Sequence, residues 1–196
     1  MPDISETVSL LLTVFAGIGL ASAGGIRAFV PLLVLSLAVH MGQAELMEPL
    51  AWLGSSAASI VLSILVFVEL VLRHTQRSFP GRRASSVLAI ASGALVTTAL
   101  LVDVHSTLVI AAACVAGALI ALFVQWPTSA LRAAAHRIGA EGATGGLGTP
   151  KGEAASAILI SMLSLYAPIA APMLVVAVVA GALHMRRQQA GRPNVV

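Results

Sequence analysis

The chain is a succession of long apolar runs with little polar sequence between them. Seven runs stand out: Val8–Ala23, Ile26–Met41, Ser56–Leu72, Ser85–Val102, Ser106–Trp126, Glu153–Tyr166 and Ile169–Met185. A helix rises about 1.5 Å per residue, and a hydrocarbon core is about 30 Å thick. The fifth run reaches across comfortably. The first, second, third and sixth are short, and short runs beside glycine-rich breaks mark discontinuous or re-entrant helices. The pattern predicts an all-α integral membrane protein. It would be a compact, glycine-broken bundle of about seven transmembrane or partly re-entrant helices, filling one membrane domain over residues 1–187 before a polar tail at 188–196. Between runs lie a polar connector (Gly42–Ser55), a basic loop around Pro80-Gly81, a tight turn with Asp103 and His105, and a glycine-rich loop (Gly139–Gly152). Residues Thr128–Ile138 alternate apolar Leu131, Ala134, Ala135 and Ile138 with polar Arg132, His136 and Arg137, which predicts a separate interfacial helix after Pro127.

The main break is the Gly24-Gly25 pair, followed at once by Arg27 and then Pro31. It reads as an interruption between the first two runs. The surrounding Ile18–Ile26 resembles Ile138–Leu147 with one residue inserted, which predicts a parallel internal repeat matching runs one to three with runs five to seven. Small residues recur every four positions: Ala113, Gly117 and Ala121; Ala89, Gly93 and Thr97; Ala177 and Gly181. Such ridges let helices approach closely in lipid and offer a face for a homo-oligomer.

Composition sharpens this picture. Of 196 residues, 58% are hydrophobic and 10% charged, with a mean hydropathy of +0.98; soluble domains carry about 25% charge. The pI near 10 does not signal nucleic-acid binding, since the eleven basic residues form no face with interleaved aromatics. They flank apolar runs. With seven crossings and the N-terminus outside, all eleven fall on the cytoplasmic side, while Asp3, Glu6, Glu45, Glu48 and Asp103 fall outside. Ala21-Ser22-Ala23 has the form of a signal-peptidase site, but the acidic stretch before it argues against cleavage. Trp52 and Trp126 suit opposite interfaces.

Three features are candidates for chemistry. Arg27 is either a cytoplasmic topology anchor or a cation beside the free N–H groups of a helix start, suited to an anionic solute or headgroup. Glu69 is an acid within an apolar run, one turn before Arg73; it makes an i, i+4 ion pair or an intramembrane proton or cation site. The loop Thr144, Gly145, Gly146, Leu147, Gly148, Thr149, Pro150 either cradles an anion or serves close packing, and its spacing is not that of a Walker A motif. No H-E-x-x-H pair, Cys/His cluster or nucleophile elbow occurs. The expectation is therefore a non-enzyme with no catalytic residues, no metal and no cofactor.

Three stretches in this order resemble one family: Gly25–Leu33 (GIRAFVPLL), Ala51–Gly54 (AWLG) and Thr144–Pro150 (TGGLGTP). They resemble the bacterial membrane proteins grouped as domain of unknown function 4126 (DUF4126), over residues 8–187. Two departures stand out: Thr149 where the family favours asparagine, and Arg77, Arg82 and Arg83 where it tends to carry acids. The resemblance implies a small multi-pass protein of the bacterial inner membrane and no established activity. The expected function is a permease-like binder of a small molecule or ion, lined by Gly24, Gly25, Arg27, Glu69, Thr144, Gly145, Gly146 and Thr149. The competing expectation is a membrane scaffold or assembly factor. In either case the lipid bilayer is the partner.

Overall fold

The computed structural model describes residues 4–74, 82–102, 104, 106–138 and 150–170, together with 173, 175–177 and 180. Among the described residues six α-helices follow one another: α1 (Ile4–Ile26), α2 (Phe29–His40), α3 (Ser56–His74), α4 (Arg82–Ala99), α5 (Thr107–Ile138) and α6 (Pro150–Tyr166). A short 3-10 helix, Glu48–Gly54, precedes α3. Among the described residues there is no strand, so the fold is all-α as expected.

The helices run alternately up and down between two ends of a bundle. Contacts fix the directions. Gly25 of α1 lies against Ala121 and Val124 of α5, and Gly17 and Gly24 lie against Thr97 and Ser92 of α4. Thus α1 and α5 are parallel, and α4 is antiparallel to both. Ser36 of α2 and Ser59 of α3 share a hydrogen bond of 2.8 Å, while Val66, further along α3, packs against Ile26 and Val30. So α3 returns along α2. Tyr166, ending α6, donates from its hydroxyl to Gln43 beyond the end of α2. One end of the bundle is therefore marked by Arg27 and the other by Gln43.

Helix α1 is the axis: it packs on α4, α5 and α6. Its apolar stretch Val8–Ile26 is 56% buried, against 17% for Thr107–Ser129 of α5. Each of these stretches is long and apolar enough to cross a membrane, and a third span forms if the 3-10 helix and α3, bent by 66°, are taken together. Outward-facing Leu108, Leu119 and Phe123 on α5 and Ile60, Ile64 and Phe67 on α3 are exposed, a surface suited to lipid rather than water. The apolar lengths of α2, α4 and α6 are shorter (Phe29–His40, Ser85–Ala99, Gly152–Tyr166).

Close backbone approach holds α1, α4 and α5 together. Gly93 and Gly117 face each other, and a Cβ on either would collide with the carbonyl of the other. Thr97 donates across the same seam to the Ala113 carbonyl at 3.1 Å. The small-residue ridges of runs four and five thus pack against each other within one chain, as lipid-embedded helices require when no hydrophobic effect draws them together. Buried serines also bond back one turn: Ser161 to Ala157 at 2.7 Å and Ser164 to Ile160 at 2.6 Å.

Several sequence expectations change. The glycine pair does not break the first run: Gly24 and Gly25 lie inside α1, which continues to Ile26. The first run is therefore long rather than short. The interfacial helix expected at Thr128–Ile138 is not separate, because α5 continues through Pro127 to Ile138. Proline removes one N–H and crowds the carbonyl four residues back; just beyond it, the Thr128 hydroxyl donates to the Val124 and Gln125 carbonyls at 3.0 and 2.9 Å. Side chains and tight packing make such prolines tolerable in spanning helices. The loop 139–149 and most of the last run and tail lie outside the described residues. Helix pairs α1–α2 and α5–α6 run in the same sense, which is the direction a parallel repeat needs.

Candidate functional site

The chain reverses at Arg27 and Ala28, between α1 and α2. Proline chemistry explains the position. Pro31 has no N–H, and its ring crowds the carbonyl four residues earlier, which belongs to Arg27. A helix passing through would lose its bond there. The Arg27 N–H still donates to the Ala23 carbonyl at 2.8 Å, so α1 ends where Pro31 forbids continuation. Because α2 starts at Phe29, Pro31 falls in its first turn, where no N–H is needed. It thus starts a helix rather than kinking a second turn. No side chain caps the α2 N-terminus; Ser92 of α4 donates to the Ala28 carbonyl at 2.6 Å and ties the reversal to the bundle.

Arg27 itself is 1% exposed. It does not reach out to water or headgroups, as a topology anchor would. Glu69 on α3 is 6% exposed, and Glu153 in the first turn of α6 is 2% exposed. The register places all three at one level. From the Ser36–Ser59 hydrogen bond, Arg27 lies nine residues back and Glu69 ten residues on, each about 14–15 Å along its helix. Glu69 follows Val66 by one turn, and Glu153 precedes Ala157 by one turn. Val66 and Ala157 both pack in the cluster that holds Ile26 and Val30, the residues flanking Arg27. From α5, Gln125 and Thr128, both buried, arrive at the same level beside Val124 of that cluster.

Glu153 and Gln125 were not among the sequence candidates. Glu153 looks like the polar start of an apolar run, and its position fits the helix macrodipole equally well. The usable signal was charge sign: Glu69 and Glu153 are acids at the end where the basic residues gather. Gly24 and Gly25 are near in sequence but have another role. A Cβ on Gly24 would meet the Ser92 hydroxyl at 3.0 Å, and one on Gly25 would run into the Ala121 carbonyl. Their bare faces are filled by α4 and α5. Thr144, Gly145, Gly146 and Thr149 fall outside the described residues. Among the described residues, no three His, Cys, Asp or Glu side chains gather as a metal site would need.

A cavity of about 880 Å³ opens at the other end, the Gln43 end. It lies between the first half of α1, the connector after α2, the stretch after α4 and the end of α6. None of the residues nominated from sequence lines it.

A family model described as "Domain of unknown function (DUF4126)" matches residues 14–188. The chain belongs to the DUF4126 family. The match takes in the reversal at Arg27 and all three buried charges. No curated protein and no solved structure matches this DUF4126 member.

Proposed function

We propose that this DUF4126 protein is a permease-like protein of the bacterial inner membrane that binds a small solute at the level of Arg27, Glu69 and Glu153, with its N-terminus outside and its C-terminus in the cytoplasm. One observation carries the reading: three ionisable side chains are buried at a single depth of an otherwise apolar bundle. Stability alone does not favour this. Buried charge carries a desolvation penalty, and well-packed apolar residues of similar volume are often as stable or more so. Ionisable groups inside a membrane domain mark solute, ion or proton pathways by default. Helix breaks beside such groups are the usual build of transporter sites.

The test is ligand-dependent thermal stability of the purified protein in neutral detergent. Panels of small carboxylates, inorganic oxyanions, amines and neutral polyols are compared on wild type, Arg27→Gln and Glu69→Gln. One solute class should raise the unfolding midpoint of wild type and lose its effect in both variants. If no class does so, the charges are structural and the scaffold reading takes its place.

A further inference from the structure

The cavity at the Gln43 end has a charge character that the rest of the bundle lacks. Its walls mix apolar side chains, Leu10 of α1 and Leu101 after α4 among them, with the neutral polar groups of Ser9, Thr13 and Gln43. Glu45 is the one ionisable residue among those lining it. Every lining segment comes from a stretch of sequence with no Lys or Arg: residues 1–26, 28–72, 84–131 and 152–185 contain none. The cavity is also closed below. Ala44, Leu100 and Leu165, which belong to its lining, pack on the buried layer of Leu20, Leu35, Leu53, Leu62, Val96 and Ala99. That layer separates it from the Arg27 level. Its volume, about 880 Å³, lies in the range of small-molecule sites, which run from roughly 300 to 1,000 Å³. Tyr166 holds Gln43 at the rim through its hydroxyl, so one wall joins the end of α6 to the end of α2.

We propose that this cavity binds a small organic cation with an apolar body, the cationic head toward Glu45 and the body against Leu10 and Leu101. Shape selects the apolar body, and a single carboxylate among the described lining residues, with no Lys or Arg in any lining segment, selects the sign of the head. The site goes beyond the solute reading above, because it lies at the opposite end of the bundle and shares no residue with it.

Three probes with one aromatic body separate the contributions: benzyltrimethylammonium, benzyl alcohol and benzenesulfonate, titrated calorimetrically into the full chain in neutral detergent. The cation should bind tightest and the sulfonate weakest. Glu45 is exposed, so Glu45→Gln leaves the fold intact. It should weaken the cation by about threefold to fivefold, the scale of one partly solvated ion pair, and leave the alcohol unchanged. Thr13→Trp, at a half-buried wall position, should fill the space and weaken the cation and the alcohol together by at least about tenfold. Arg27→Gln should leave all three titrations unchanged, whatever it does to solute binding at the buried level. Equal binding of the three probes, no binding of the cation, or full binding in Thr13→Trp overturns the proposal. Loss of cation binding in Arg27→Gln with none in Glu45→Gln overturns it as well, because the probe then sits at the other level.

Discussion

Gly25 of α1 lies so close to Ala121 of α5 that a Cβ there would sit on the Ala121 carbonyl and 3.0 Å from the Val124 Cβ. Backbone can do little to yield. Gly25→Ala should therefore destabilise the bundle by about 1–3 kcal/mol, the usual cost of overpacking. Gly17→Ala is the control. Its added methyl would meet Thr97 first, at the ordinary contact distance of 3.4 Å, and alanine favours helix by up to about 1 kcal/mol. Thermal unfolding in detergent should show a lowered midpoint for the first and an equal or raised one for the second.

Ser36 is fully buried. It donates to the Leu53 carbonyl at 2.5 Å and shares a hydrogen bond with Ser59 at 2.8 Å. These bonds pin the 3-10 helix and α3 onto α2, and with them the register that brings Glu69 level with Arg27. Ser36→Ala leaves a buried carbonyl without its donor, at a cost of about 1–3 kcal/mol. Ser59→Ala should cost less, since Ser36 keeps its bond to Leu53. The comparison is made by midpoint shifts of the two single variants.

Trp52 and Trp126 are the two tryptophans of the chain. Both are exposed, one in the 3-10 helix toward the Gln43 end and one in α5 toward the Arg27 end. Belt residues sit at headgroup depth. In single-tryptophan variants (Trp52→Phe and Trp126→Phe), lipids brominated near the headgroup should quench fluorescence more than lipids brominated near the chain end. Deeper quenching for either would displace that end of the bundle into the hydrocarbon.

The sidedness read from charge has a direct check. Cys114 is the single cysteine, so Cys114→Ala gives a clean background. A membrane-impermeant maleimide applied to intact cells should label Ala44→Cys and spare Lys151→Cys until the cells are opened. The reverse pattern inverts the orientation.

The helices were legible because lipid-length apolar runs have few other uses. Five of the six described helices lie within a few residues of their runs. The differences share a cause: in sequence, glycine and proline read as punctuation. Gly24 and Gly25 interrupt an apolar pattern, yet in lipid their value is the bare backbone they offer to Ser92 and Ala121, which a single sequence does not show. Pro127 looks like an end, but tertiary packing carries α5 past it. The true break at Arg27 was written in Pro31, through the carbonyl four residues back. Of the site, Arg27 and Glu69 were found as rare charges beside apolar runs. Glu153 and Gln125 were missed because only the folded register brings α5 and α6 to that level.

The central place of α1 has a consequence for biosynthesis. It leaves the ribosome first, yet most of its packing partners are α4, α5 and α6. About 140 residues separate Ile26 from the end of α6, which is roughly 10–30 s of synthesis. For about the first half of that interval the glycine-lined face of α1 lacks α4, and it waits longer still for α5. Its insertion therefore depends on its own apolar length, and the bundle closes only when the C-terminal half arrives. A chain truncated before α4 should carry an inserted but unassembled α1, open to quality-control proteases, whereas a truncation after α6 keeps the axis covered.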